Sequence, residues 1–430
     1  MKIKNNIRLR INSNTGITLI ALVITIIVLL ILAGVTIAAL SGDNGILTKA
    51  KDAKEKTDQA QEDEEKTLSN MENILGVYNF KNINIADTNP AGTVPENSVV
   101  LEDDANNGIV IKDKNNNEWV WIEVPKTTVF SGLTIDTTQE LTEQNYTDIK
   151  SKLITYATTY RGSYSDEWYA KDGSTLVTAG TSNLTEAQKA LNNGCGLTYD
   201  EYKTTYQKML KNIYTYGGFW IGRYESGIEG TVTEITNARS SSSARISIGT
   251  SPKAISQKDA IPYNWIYCSE AQVLAQEMMP DSNYTSNLMF GIQWDLVCKF
   301  LEIKSALTIA DINSDSGIWG NYNNVVRTIT SDKAKRGNSW TEITGTKVAN
   351  TSMLLTTGAS EETKKMNIYD LAGNEWEWTL EKTSDSNNPC AFRGGNYYGL
   401  GSDYPAASRN TFNETYSYND IGFRSTFYAN

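Results

Sequence analysis

Histidine is missing from all 430 residues. Its absence removes the usual general base, the commonest metal ligand and the side chain that titrates nearest neutrality, so any catalysis has to run on other groups. Cysteine is scarce. Cys195, Cys268, Cys298 and Cys390 are widely spaced and form no CxxC pair, which argues against a zinc knuckle or a thioredoxin-type site. Two disulfides in any of three pairings, or buried thiols, would equally account for them. Basic residues are also in deficit: 39 Lys and Arg face 50 Asp and Glu, giving a formal charge of -11, with no basic stripe. Phosphate binding needs clustered cations, so no nucleic-acid partner is expected.

What is present begins with a division by charge. The first sixteen residues carry Lys2, Lys4, Arg8 and Arg10 and no acid, and an uncharged run follows from Ile17 to Gly42. As a helix, the 24 residues from Ile17 to Leu40 would span roughly 36 Å, enough for a hydrocarbon core of about 30 Å. The reading is a basic leader at 1–16 and a transmembrane helix at 17–42, with the N-terminus cytoplasmic by the positive-inside rule and the rest facing outward. After the turn-forming Ser41–Gly45, residues 43–80 read as a charged helical stalk, with pairs such as Lys51 and Glu55 one turn apart. Residues 81–107, with Pro90 and Pro95, read as linker or edge structure.

The outer domain, 108–430, opens on two alternating apolar runs, Gly108–Asp113 and Glu118–Pro125, around Lys114-Asn115-Asn116-Asn117, which is a hairpin signal. Gly218–Glu225 is a second strand signal. Between them an insertion at about 131–217 is helical, with apolar residues near helical spacing at Leu184–Leu191 and Tyr199–Ile213. Residues 226–257 are rich in Ser, Thr and Gly and read as a surface loop. Helices are expected through Ala271–Met278 and from Gln293 to Leu301, and Trp376 and Trp378, two apart, are expected in a core strand.

Two resemblances sit on these residues. Gly16-Ile17-Thr18-Leu19-Ile20-Ala21-Leu22 resembles the processing site of type IV prepilins and pseudopilins. The resemblance implies cleavage after Gly16, methylation of Ile17 and possible pilus or pseudopilus subunits as partners. That family usually has Glu at the fifth mature position, where this chain has Ala21, which counts against ordinary filament incorporation and favours a tip or minor subunit or a plain anchor.

The ordered set of Gly218-Phe219-Trp220-Ile221-Gly222-Arg223-Tyr224-Glu225, Pro262-Tyr263-Asn264-Trp265, Gly373-Asn374-Glu375-Trp376-Glu377-Trp378, Arg393-Gly394-Gly395 and Gly422-Phe423-Arg424 resembles the sulfatase-modifying-factor family, which includes formylglycine-generating enzymes. The expected fold class is therefore α+β: a long N-terminal transmembrane and stalk helix, then a loop-rich, C-type-lectin-like domain with a helical insertion.

This second resemblance implies sites. Asp370, Gly373, Glu375 and Glu377 match a calcium-binding segment of the family, with side-chain oxygens from the first and last and backbone carbonyls from the middle two. Calcium takes six to eight hard oxygen ligands in flexible geometry. Arg393 and Arg424 are expected to tie loop carbonyls and carboxylates together, using the fixed fork of guanidinium donors. The enzymes of the family use two cysteines between the Arg-Gly-Gly and Gly-Phe-Arg signals to hold copper, and that interval here contains none. With no histidine for iron either, neither copper nor iron is expected.

What remains in the interval looks like recognition chemistry. Of the 32 residues from Arg393 to Arg424, Tyr, Asn, Ser, Gly and Asp make up 19, and none is lysine. Such mixtures supply rigid amphipathic contact area and adaptable hydrogen bonds. The candidate ligand-binding residues are Asn396, Tyr397, Tyr398, Ser402, Asp403, Tyr404, Asn410, Phe412, Asn413, Tyr416, Tyr418 and Asn419. The segment also resembles those that diversity-generating retroelements mutate in C-type-lectin-fold proteins. The functional expectation is a membrane-anchored, pilin-like bacterial surface protein that presents a non-catalytic binding domain to a cell-surface protein or glycan. The alternative is a surface oxidase or other protein-modifying enzyme with a displaced site.

Overall fold

The computed structural model describes residues 22–32, 49–51, 53–61, 63, 87–169, 194–230, 252–337, 339–385, 387–413 and 416–430. The chain divides into two compact units, Met1–Glu72 and Asn73–Asn430. In the first, residues 22–32 are helical with exposed side chains, and helix recurs through the described part of 49–63. The Lys51 and Glu55 charges sit 4.0 Å apart and largely exposed, a pair worth only a few tenths of a kcal/mol. Among the described residues no helix is long and apolar enough to cross a membrane. Of the expected span 17–42 only 22–32 are described, and Gly16, Ile17 and Ala21 lie outside the described residues.

The second unit is built on two sheets. The larger has six strands: β1 (Val99–Glu102), β2 (Val110–Lys112), β3 (Glu118–Glu123), β4 (Gly218–Gly222), β5 (Tyr284–Leu288) and β10 (Ser425–Ala429), in the order β1-β2-β3-β4-β10-β5. The predicted hairpin is β2 and β3, with Ile111 opposite Trp119. Its turn forms because the Asp113 carboxylate accepts from the backbone N–H groups of Asn115 and Asn117 at 2.8 and 2.9 Å, and from the Trp119 indole at 2.9 Å. Asn116 takes the left-handed conformation, φ 62°, that asparagine tolerates better than most residues. Trp119, Trp121, Trp220 and Phe427 form the aromatic centre of this sheet, with Trp119 edge-on to Phe427 at 4.8 Å and Trp121 against Trp220 at 5.2 Å.

The insertion supplies core as well as surface. Its helix α1 (Glu143–Tyr156) buries Ile149 and Leu153, and α2 (Tyr199–Tyr216) buries Tyr202, Tyr206, Met209, Leu210 and Ile213 at helical spacing. A capping box of Thr198 and Glu201 starts α2, and Gly217 in the left-handed region, φ 76°, ends it. The expected helix at Leu184–Leu191 lies outside the described residues, as do 231–251 of the Ser-, Thr- and Gly-rich stretch at 226–257. Two further helices pack here, α3 (Cys268–Glu277) and α4 (Gly291–Lys304), close to their expected spans.

The smaller sheet carries the C-terminal motifs. Its strands are β6 (Trp376–Lys382), β7 (Cys390–Arg393), β8 (Arg409–Phe412) and β9 (Ile421–Phe423), in the order β8-β7-β6-β9, with β9 running parallel to β6. Trp376 and Trp378 are both buried in β6, as expected of a core strand, and so is every other residue of that strand.

Behind this sheet lies a buried lattice of three guanidiniums and three carboxylates. Asp295 on α4 meets Arg161, Arg393 and Arg409 at 2.9, 2.9 and 2.6 Å. Glu381 on β6 meets the same three at 3.4, 2.9 and 2.9 Å. Arg161 also holds Asp166 at 3.1 Å, and Asp166 in turn accepts from the Gly291 and Ile292 amides at 2.7 and 3.2 Å, capping the N-terminus of α4. Burial pushes the Glu381 carboxyl up, but Arg393, Arg409 and Arg161 outweigh it and hold it below the usual range. Removing one member leaves uncompensated buried charge, whereas the intact set is balanced. Glu381→Ala is therefore expected to lower the free energy of unfolding by about 3–5 kcal/mol in urea denaturation, and a loss under about 1 kcal/mol would show that the lattice does not brace the fold.

Candidate functional site

The Gly-Asn-x-Trp-Glu-Trp segment is a brace for the loop that follows Arg393. Backbone at Asp370, Gly373 and Asn374 adopts positive φ of 57°, 74° and 58°. A Cβ on Gly373 would stand 2.4 Å from the Asn321 carbonyl oxygen, so only glycine fits there. Asn374, fully buried, accepts from the Asn321 side chain at 2.9 Å and the Leu355 amide at 3.0 Å, and donates to Glu225 at 2.6 Å. Its own carbonyl receives the Tyr397 amide at 3.0 Å, which fastens the loop to the motif. On the loop's other side the Tyr322 hydroxyl donates to the Tyr404 carbonyl at 2.7 Å and lies 3.1 Å from that of Gly394.

Both closing arginines tie carbonyls and carboxylates together. Arg424 reaches both oxygens of Glu377 and the carbonyls of Gly222 and Tyr369, the last two at 2.9 and 2.8 Å. Arg393 adds the Ser408 carbonyl at 3.1 Å to its two carboxylates and lies over the Trp294 ring. Neither presents its guanidinium to solvent, since both are fully buried.

Of the expected calcium ligands around this brace, Asp370 and Glu377 have their side-chain oxygens already engaged. Asp370 accepts from the Gly358 amide at 2.7 Å and the Thr363 hydroxyl at 2.8 Å, and Glu377 is held by Arg424 through both oxygens. Among the described residues no cluster of three or more acidic, cysteine or histidine groups is arranged to hold a metal ion. A calcium ion bound there would compete with these donors for Asp370 and Glu377. Burial and the neighbouring Asp370, Glu375 and Glu377 push the Glu225 carboxyl well above the usual carboxylate range.

The recognition candidates separate into those that brace and those that face out. Tyr398 and Tyr418 are 45% and 46% exposed, whereas Tyr397 is buried with only 4% exposed. The Asn419 amide joins the two groups, donating to the hydroxyls of Tyr397 at 3.2 Å and Tyr398 at 2.8 Å. A row of rings continues from there: Tyr418 faces Tyr416 at 6.0 Å and Trp265 at 5.4 Å, and Tyr416 stacks on Phe412 at 3.3 Å. Ser402, Asp403 and Tyr404 are exposed on the neighbouring turn, with the Tyr404 ring against Trp376 at 5.3 Å. Asn410 and Asn413 are half-buried at β8 and its exit. Asn396 is buried and spends its side chain on Asp420 and on the Gly399 amide, so it shapes the loop and faces inward.

One contributor comes from far away in sequence. Trp265 joins the row from the segment before α3, in the left-handed region at φ 53°, and its amide donates to the Tyr418 carbonyl at 3.0 Å. The Pro-Tyr-Asn-Trp motif marked that segment, but nothing local to it indicated which distant loop it would meet.

Comparison with known proteins bears on this part of the chain. Residues 253–427 match the sulfatase-modifying factor enzyme 1-like domain, a stretch that contains the brace, both closing arginines and the whole ring row. Among solved structures, the crystal structure of CarF is similar at 15% identity, covering 50% of this chain and 87% of that one, with a TM-score of 0.31. Treponema denticola variable protein 1 is similar at 13% identity, covering 49% and 84% of the two chains, with a TM-score of 0.29. No curated protein matches the chain.

Two outcomes test this geometry. Chelating calcium with EGTA is expected to leave the melting temperature unchanged, and a fall of several degrees would show that an ion sits among these residues. Burial raises the Asp420 carboxyl from its usual 3.8 to about 6. Its folded pKa exceeds its unfolded one, so the folded state takes up the proton first and stability rises as pH falls through about 6 toward 4. Asp420→Asn should flatten that part of the stability profile, and an unaltered profile would assign the effect to another group.

Proposed function

We propose that this chain is a membrane-anchored, pilin-like bacterial surface protein whose C-terminal domain, with a C-type-lectin-like fold, binds a cell-surface protein or glycan without catalysis. The observation that carries the reading is the pair of exposed rings Tyr398 and Tyr418, joined through Asn419, with half-buried Trp265 against Tyr418, all held on loops braced from below. Rigid tyrosines with few torsions to immobilise gain contact area at low entropic cost. No cysteine lies from Gly394 to Phe423, the interval in which the resembled enzymes hold copper, and no histidine is present anywhere in the sequence.

The anchoring half of the proposal rests on the uncharged run from Ile17 to Gly42 behind a basic leader, and on the prepilin-like Gly16-Ile17 junction. Diversification of the Asn- and Tyr-rich loops by a retroelement belongs to the same proposal, because it would vary exposed positions over a constant brace.

The test is adhesion of cells that display the full chain, scored on arrays of glycans and of host and bacterial surface proteins. Tyr398→Ala combined with Tyr418→Ala should weaken binding at least tenfold while leaving circular dichroism unchanged. Retention of full binding by the double variant would move the recognition surface elsewhere, and thiol-dependent oxygen consumption with a cysteine peptide would replace the binding reading with the enzymatic one.

A further inference from the structure

Between α4 and β6 the chain exposes aliphatic side chains on a backbone that is held from beneath. Ile318, Val326 and Val348 are 64%, 53% and 61% exposed. Two buried cations fix the segment that carries the first two. Lys347 donates to the carbonyls of Tyr322 and Val325 at 2.6 and 3.0 Å. Arg327 donates to those of Gly317, Gly320 and Val326. Lys347 and Arg327 also stand opposite each other in the ribbon formed by Arg327–Ile329 and Gly345–Lys347. With those two side chains turned inward, the alternation of an extended chain turns the next pair, Val326 and Val348, outward.

This segment adjoins the recognition loop. The Ser316 amide donates to the Gly401 carbonyl at 3.1 Å and the Asn323 amide to the Gly399 carbonyl at 2.9 Å, while the Ala406 amide donates to the Ser316 hydroxyl at 2.9 Å. A Cβ on Gly401 would stand 2.2 Å from the Gly317 nitrogen, so the two backbones meet without intervening side chains. Asn323 in turn accepts the Thr351 amide at 3.2 Å, which joins the stretch after Val348 to the same seam. Leu400, Tyr398 and Tyr404 are the exposed apolar side chains on the loop's side of it.

We propose that the recognition surface runs on from the 394–423 loops across Ile318, Val326, Val348 and Leu400, and that its partner is a protein with an apolar patch rimmed by Lys and Arg. The inference rests on the binding reading above and narrows it from protein or glycan to protein.

Three observations carry it. Aliphatic side chains offer no hydrogen bonds to a sugar's hydroxyls, whereas exposed apolar groups of this kind bury well against another protein. A sugar ring also packs its C–H groups on an open aromatic face, and here the rings turn faces to one another: Tyr416 is stacked with Phe412 and with Tyr418, and Tyr398 lies 4.2 Å from Tyr397. The charge is one-sided. No Lys or Arg occurs from Ser305 to Val326 or from Gly394 to Ser408, and Lys347 is buried, while Asp315 and Asp403 are exposed. A partner with a basic rim complements that charge and is steered toward it. Because the carbonyls of the segment are already fixed by Lys347 and Arg327, little backbone freedom is left to lose on binding.

The test displays the full chain on cells and scores them on the arrays of glycans and of surface proteins, with Val326→Ser plus Val348→Ser in one variant and Asp315→Asn plus Asp403→Asn in another. Binding is expected on protein spots and not on glycan spots. The valine pair should weaken it at least tenfold with an unchanged melting temperature, since both side chains are exposed. The aspartate pair should slow association and flatten its dependence on salt, and an unaltered salt dependence overturns the basic rim. Binding to glycan spots overturns the proposal and leaves the recognition reading in place. Protein binding that Tyr398→Ala with Tyr418→Ala abolishes, but that the valine pair leaves intact, does the same. Binding on neither array overturns both.

Discussion

The C-terminal domain depends on the cancellation of buried charge at Asp295 and Glu381. Each of these carboxylates faces the same three arginines, and each comes from a different element, so the lattice joins α4 and β6 to β7, β8 and the insertion at once. In a region of low dielectric such a set is stabilising only when complete. Its completeness therefore fixes the insertion relative to the C-terminal sheet more firmly than apolar packing alone, because apolar contacts tolerate small displacements and a three-way charge balance does not.

The same logic explains why part of this fold was legible in the sequence and part was not. The hairpin of β2 and β3 was visible because its turn is local: one aspartate satisfies amides two and four residues on. Helix α2 was visible through its capping box and its spacing. The centre of the arginine and carboxylate lattice had no local signature, since Arg161 meets Asp295 and Glu381 from 134 and 220 residues away. The insertion was accordingly seen as helical but not as a structural partner of the C-terminal motifs. Its Asp166 caps α4, a role that requires no particular neighbour in sequence.

The site shows the same division. Composition marked 394–423 as a surface of aromatic and amide groups, and the exposure of Tyr398, Tyr404 and Tyr418 agrees with that description. It did not separate Tyr397 and Asn396, which are buried, from their exposed neighbours, because alternation in an irregular loop follows no period. Nor did it find Trp265, whose approach to Tyr418 is set by the tertiary fold. The acidic segment from Asp370 to Glu377 illustrates a further limit. Residue types that suit an ion also suit amides, hydroxyls and a guanidinium, and here Asp370 and Glu377 engage those donors.

A last consequence follows from how closely inward and outward side chains are interleaved near the C-terminus. Arg409 belongs to the charge lattice while Asn410 beside it does not, and buried Tyr397 is followed at once by exposed Tyr398. Substitution at outward positions changes what the surface offers and leaves the balance beneath untouched, whereas a change one residue away unravels it. A gene under pressure to vary this surface would therefore show tolerance and intolerance at adjacent codons, a pattern of single-residue grain.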